Sequence, residues 1–191
     1  MPGILGKKIG MTQILEDGKM IPLTVIQCQP NTIVQVKTQD KDGYDAIVLG
    51  FDELKNPKKN KQYYFKREFR VENPEEFKVG DKVTVENFNE VESVCYTAVS
   101  KGKGFQGVVK RHNFATGPNS HGSRHHREPG SIGACAMPGR VVKGKKLPGR
   151  MGTGTVTRKN VPVVYLDSEK HLIGLKGPIP GGKNNLVVIS Y

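Results

Sequence analysis

Met11-Thr12-Gln13-Ile14-Leu15 and Met20-Ile21-Pro22-Leu23-Thr24-Val25-Ile26-Gln27-Cys28 flank the turn signal Glu16-Asp17-Gly18-Lys19, and this stretch decides the fold class. Short β-branched and apolar runs bounded by Asp-Gly read as paired strands. The pattern repeats outward. Thr32–Thr38 follows the turn Gln29-Pro30-Asn31, and Tyr44–Phe51 follows Asp40-Lys41-Asp42-Gly43. Val83–Val85 and Val91–Val99 are further strands, and Asn73-Pro74-Glu75-Glu76 reads as the start of a short helix. Val161–Leu166, Leu172–Leu175 and Leu186–Ser190 resume the strand pattern, with Asp167-Ser168-Glu169-Lys170 closing a hairpin. Many short strands with frequent turns predict a mainly β chain, a small barrel or sandwich.

The 191 residues carry 30 Lys and Arg against 18 Asp and Glu, a formal net charge of +12. That balance points to a polyanionic partner. Its distribution is more informative. Residues 101–160 hold 13 Lys and Arg and a single acid, Glu128, while the other 131 residues hold 17 of each sign. The same stretch has 12 of the 23 glycines and four of the five histidines, but Leu, Ile, Val and Phe make up only 9 of its 60 residues. Such a segment buries too little apolar surface to offset its ordering entropy. It is therefore expected to be disordered alone and ordered by a phosphate backbone. Residues 1–100 and 160–191 are read as a β-rich body, and 101–159 as a basic RNA-binding segment with an extended loop at about 112–155. At roughly 3.3 Å per residue out and back, that loop reaches at most about 70 Å.

The charge excludes little by itself; the motifs exclude more. Gly102-Lys103-Gly104-Phe105-Gln106-Gly107 matches G-x-G-x-x-G, but a dinucleotide site needs a helix after the loop, and Val108–Phe114 is followed by Ala115-Thr116-Gly117-Pro118-Asn119-Ser120, which breaks any helix. The favoured reading is backbone N–H groups and lysines on phosphates, with a mobile entry to a strand as the plain alternative. Gly139–Lys146 resembles a Walker A loop but puts Lys146 where Mg²⁺ needs a hydroxyl. His121, His125 and His126 lack paired cysteines for zinc and read as phosphate or base contacts, or as solvated loop residues. Neither a nucleophile elbow nor an acid–base carboxylate pair is present, so no catalytic residue, metal or cofactor is expected. No apolar run approaches a membrane span, and Met1–Lys8 has no secretory h-region. Cys28, Cys95 and Cys135, odd in number and far apart, suit a reducing cytosol.

The candidate RNA contacts are Lys101, Lys103, Lys110, Arg111, His112, His121, Arg124, His125, His126, Arg127, Arg140, Lys143, Lys145, Lys146, Arg150, Arg158 and Lys159, with Lys7 and Lys8 near the start. Arginine contributes bidentate phosphate contacts and lysine point charges. With only Phe105 and Phe114 aromatic in the segment, it should read phosphate path and shape rather than base sequence.

Several of these stretches resemble the bacterial branch of the universal large-subunit ribosomal protein three family. They are Gly3–Thr12, Ser100–Phe105 continuing through Gly107 to Lys110–Phe114, Ser120–Ser123, Pro129–Gly133, Pro138–Val141 with Lys143–Lys146, and Gly149–Gly152. The likeness spans essentially the whole chain. It implies a closed six-stranded barrel of the translation-protein type, a small α/β insertion at about 50–90, and a long basic, irregular extension. It also implies a cytoplasmic ribosomal protein that binds large-subunit RNA near its 3′ end and acts early in assembly. Large-subunit proteins fourteen and nineteen would be neighbours, and no membrane or small-molecule substrate is involved. By position, Ser131, Ile132, Gly133, Ala134, Cys135, Ala136 and Met137 would form the tip nearest the peptidyl-transferase centre. Ala136 stands where some relatives carry a methylated glutamine, so that modification is not expected. Glu128 is an unexpected acid, read either as pairing with Arg127 or as facing away from phosphate. The competing readings are a non-ribosomal RNA-binding regulator and a barrel enzyme using Gly102–Gly107 as a phosphate cradle.

Overall fold

The computed structural model describes residues 3–16, 18–58 and 61–191. Met1 and Pro2 of the opening, Asp17 of the first turn, and Lys59 and Asn60 of the expected insertion lie outside them. The strands in chain order are β1 (Ile4–Glu16), β2 (Lys19–Gln27), β3 (Asn31–Lys37), β4 (Ala46–Lys58), β5 (Lys61–Arg70), β6 (Lys82–Val83), β7 (Ser93–Val99), β8 (Phe105–Gln106), β9 (Gly149–Arg150), β10 (Thr155–Asp167), β11 (Leu172–Lys176) and β12 (Leu186–Ser190). The α-helices are single turns, α1 (Gln39–Asp42) and α2 (Val108–His112). The chain is mainly β, as the alternating runs predict. It divides into two units, residues 1–100 with 155–191 and residues 101–154.

In the first unit six antiparallel strands pair in the order β1-β12-β7-β10-β11-β2, and β2 returns to β1, closing a ring. Its interior is filled by Ile4, Ile26, Val94, Tyr96, Ala98, Val161, Ile173, Leu175, Val187 and Ile189. Each such aliphatic side chain taken from water stabilises by roughly 1.5–3 kcal/mol. Ser93–Val99 shows the source most plainly, its buried Val94, Tyr96 and Ala98 alternating with more open neighbours. The β10–β11 turn is the expected hairpin, with Asp167 Oδ1 accepting from the Lys170 N–H at 2.9 Å.

β1 is buried on both faces where it begins. Ile4 points into the ring, whereas Leu5 joins Ile33, Ile47, Leu49, Phe51, Phe69 and Val83 in a second core. That core belongs to a four-stranded sheet ordered β5-β4-β3-β6. Asn31 sits at the junction, fully buried, with Nδ2 donating to the carbonyls of Leu5 and Gln29 at 3.1 Å each. Gly6 allows close approach here, because a Cβ on it would lie 2.5 Å from Cys28 Sγ and 2.6 Å from Ile26 Cγ2.

The insertion differs from the α/β unit expected at about 50–90. It is a β-sheet that starts at Asn31, and its helical content is single turns, Gln39–Asp42, Pro74–Glu76 and Val85–Phe88. Two causes are visible. Tyr63, Phe65 and Phe69 alternate along a run dense in charge and turn it into strand β5, with Phe69 buried. From 71 to 92 the chain is broken too often, by Asn73-Pro74 and Gly80-Asp81, for a helix to grow past one turn. The expected strand Val83–Val85 accordingly stops at Val83.

Candidate nucleic-acid interface

The basic segment leaves and re-enters the first unit at one place, since Val99 at the end of β7 faces Thr155 at the start of β10. Within the second unit the two arms are clamped. The Lys103 N–H donates to the Met151 carbonyl and the Met151 N–H to the Gly104 carbonyl, both at 2.9 Å. β8 and β9 then pair Phe105 with Arg150 and Gln106 with Gly149. Gly152 is required at the clamp: its φ is 77°, and a Cβ there would collide with the Lys101 carbonyl oxygen.

α2 follows, one turn long, and ends on Asn113 in the left-handed region at φ 57°. This turn is more helix than the sequence pattern suggests, but it stops where Asn113 and the following loop break it, too short for a dinucleotide fold. Arg111 and His112 at its last turn both reach the Leu147 carbonyl oxygen, at 2.6 and 3.1 Å. Farther out, the Gly117 N–H donates to the His126 carbonyl at 2.9 Å. His126 Nδ1 lies 2.9 Å from the Pro118 carbonyl oxygen, which requires the proton on that nitrogen. Left-handed glycines, Gly122, Gly130, Gly139 and Gly144, and a cis Met137–Pro138 bond carry the chain through bends with no strand or helix.

Among the described residues of this unit only Val108 is buried, at 1% exposure. Residues 101–154 hold 11 Lys and Arg against Glu128. Lys101, Lys103, Lys110, Arg124, Arg127, Arg140, Lys143, Lys145, Lys146 and Arg150 are all exposed, and none forms an ion pair among the described residues. Glu128 does not pair with Arg127. Its Oε2 lies 3.4 Å from His125 Nδ1, three residues before it in the chain. His121 is exposed at φ 60°. Ser131 to Met137 are all exposed, with Met137 at 86%, and Ser131 Oγ donates to the Gly133 carbonyl at 3.1 Å. A string of unneutralised cations on a backbone without an interior meets a polyanion at little desolvation cost to itself.

The remaining candidates fall elsewhere. Arg158 and Lys159 are exposed on β10 in the first unit. Lys7 bridges Asp52 at 2.7 Å and lies 5.9 Å from the Phe51 ring centroid. Lys8 Nζ donates to the Ile179 carbonyl at 2.6 Å. Both lysines near the start therefore have partners inside the body. Arg111 and His112 likewise hold the clasp at Leu147. Their structural part was hidden in the sequence because their acceptor lies 35 or more residues away.

A β-rich body and an open cationic segment, in which Val108 alone is buried among the described residues, define a class only as far as charge goes, that of proteins built to meet a polyanion. The family model for ribosomal protein L3 matches residues 66–173. The large ribosomal subunit protein uL3 of Desulfotalea psychrophila is 50% identical over 98% of this chain and 96% of its own length. Those of Geobacillus thermodenitrificans and Petrotoga mobilis are 48% and 46% identical over 98% and 99% of this chain, covering 94% of each relative. The chain belongs to the ribosomal protein L3 family. That family is structural and non-enzymatic, so the phosphate-cradle enzyme reading of Gly102–Gly107 is closed.

Proposed function

We propose that this protein is a structural constituent of the large ribosomal subunit that binds large-subunit ribosomal RNA directly through residues 101–159. The carrying observation is that 101–154 holds 11 cations and one acid with a single buried side chain among its described residues. On this reading the strand ring is the small barrel of the translation-protein type, and residues 1–100 and 160–191 act as the body. RNA near the 3′ end of the large-subunit molecule is bound early in assembly, and Ser131 to Met137 reach toward the peptidyl-transferase centre. Large-subunit proteins fourteen and nineteen are its neighbours, within a particle that is cytoplasmic in bacteria. Family membership and the exposure of the tip support this assignment.

The test is a titration of the full chain with a transcript of the large-subunit RNA at several salt concentrations. Contacts to 6–10 phosphates weaken binding roughly 10³–10⁵-fold between 50 and 200 mM salt. Arg124→Gln, Arg140→Gln and Arg150→Gln together should lower both affinity and salt slope. A flat salt response, or protection of one short sequence motif in unrelated RNA, would support a non-ribosomal regulator instead.

A further inference from the structure

Outside residues 101–160 the charges cancel, but they are not evenly spread. Residues 53–70 hold seven Lys and Arg against Glu53 and Glu68, so the rest of the body, with ten cations and fifteen acids, is net negative. That cationic run is the β4–β5 hairpin. Lys55, Lys58, Lys61, Lys66, Arg67 and Arg70 are all exposed, and none is in an ion pair among the described residues. Of the two acids, Glu68 is already held by Lys37 at 2.8 Å and by the Tyr44 hydroxyl at 2.9 Å.

The hairpin outruns its core. Phe51 and Phe65 pair across the strands with ring centroids 6.5 Å apart, and Phe51 is 2% exposed. Beyond them, from Glu53 to Lys58 and from Lys61 to Tyr64, no described residue is buried. A two-stranded ribbon without an apolar face is marginal in water. The distal hairpin therefore shares the condition of the basic segment: its described cations are exposed, on backbone with no buried side chain among the described residues. Gln62, Tyr64, Lys66, Glu68 and Arg70 lie on one face of β5 by strand alternation, Glu68 being the acid already held by Lys37 and Tyr44, and Tyr64 is 56% exposed. An open aromatic ring between donors that reach phosphate is a stacking platform for an unpaired base. A protein partner would need a cluster of apolar side chains on that face, and Tyr64 is the single large exposed one among its described residues.

We propose that the β4–β5 hairpin is a second RNA-binding surface: Lys66, on the Tyr64 face of β5, takes the phosphate beside a base stacked on Tyr64, and Lys55, Lys58 and Lys61 take phosphates of the same RNA strand around the distal end of the hairpin. It rests on the RNA-binding reading above and adds a contact on the other unit.

The test uses the full chain and the large-subunit RNA transcript. A variant with Lys55→Gln, Lys58→Gln, Lys61→Gln and Lys66→Gln should lower the log–log salt slope by about 3 while melting close to the parent protein. Ultraviolet crosslinking of the unaltered chain should place Tyr64 on RNA, and Tyr64→Leu should remove that adduct. The Arg124, Arg140 and Arg150 variant is the control. If it loses slope while the hairpin variant does not and residues 53–70 give no crosslink, the inference is overturned and the RNA-binding reading stands. If the unaltered chain fails to bind the transcript, both fall. An unchanged slope with lost co-purification of another large-subunit protein would assign the hairpin to protein contact and also overturn the inference.

Discussion

Arg111 Nη1 donates to the Leu147 carbonyl oxygen at 2.6 Å, across 36 residues of sequence, and the same guanidinium packs where a Cβ on Gly149 would lie 2.6 Å from Nη1. In a unit with one buried side chain, this contact stands in for a core. It ties α2 to the arm that returns as β9. Arg111→Ala should cost about 1 kcal/mol locally, the scale of one partly exposed charged hydrogen bond. Amide exchange should quicken at residues 105–112 and 147–151, while the global melting temperature stays within about 2 °C. Equal protection in the variant would show that the clasp does not hold the arms.

The body should respond in the opposite manner, globally. Gly6 lies against Cys28 and Ile26, whereas a Cβ on Gly10 would meet nothing within 4 Å. Gly6→Ala is expected to destabilise by about 2–3 kcal/mol through overpacking, and Gly10→Ala by less than about 0.5 kcal/mol. Urea melts of the two variants check this, and equal midpoints would deny the close approach at β1.

These contrasts mark what the amino-acid order made legible. Ser93–Val99 is readable because one face is buried and alternation survives, and Leu172–Leu175 because a short apolar run follows the turn at Asp167–Lys170. The cationic segment is readable because its composition changes abruptly at Lys101. Lys61–Arg70 escaped for a physical reason: charged residues occupy its open positions and mask the Tyr63, Phe65 and Phe69 alternation that seats it. The same averaging hid the hairpin's charge, since acids elsewhere in the body cancel it. The partners of Lys7 and Lys8 inside the body were not legible, because a lysine's partner is invisible in sequence. Asp52 lies 45 residues from Lys7, and the Ile179 carbonyl lies 171 residues from Lys8.

The three cysteines should label in an order set by burial. Cys135 is exposed, Cys95 is half-buried and Cys28 is fully buried. Burial alone pushes the Cys28 thiol far above its ordinary value, so the reactive thiolate is scarce there at neutral pH. Iodoacetamide followed by mass spectrometry should modify Cys135 first, Cys95 more slowly, and Cys28 only after unfolding. Early loss of Cys28 would mean that the β1–β2 side of the ring opens readily.

The Lys37, Tyr44 and Glu68 group predicts a pH dependence at the outer face of the sheet. Lys37 Nζ donates to Glu68 Oε1 at 2.8 Å and to the Tyr44 hydroxyl at 2.7 Å, and the Tyr44 hydroxyl donates to Glu68 Oε2 at 2.9 Å. The Lys37 hydrogen bond, then that of Tyr44, holds the Glu68 carboxyl below its ordinary value of 4.5. The Lys37 ammonium is held above its ordinary 10.5, first by its bond to Glu68. A depressed carboxylate contributes stability above 4.5 that is lost as pH falls through its lower folded value. A raised ammonium contributes below 10.5 and loses it as pH rises through its higher folded value. The melting-temperature gap between the parent and Glu68→Gln should therefore be small, because the group is exposed, but steady between about pH 6 and 9. It should shrink as pH falls below 4.5 and through the lower folded value of Glu68. A gap unchanged at acid pH would show that the ionised carboxylate does not hold Lys37 to β5.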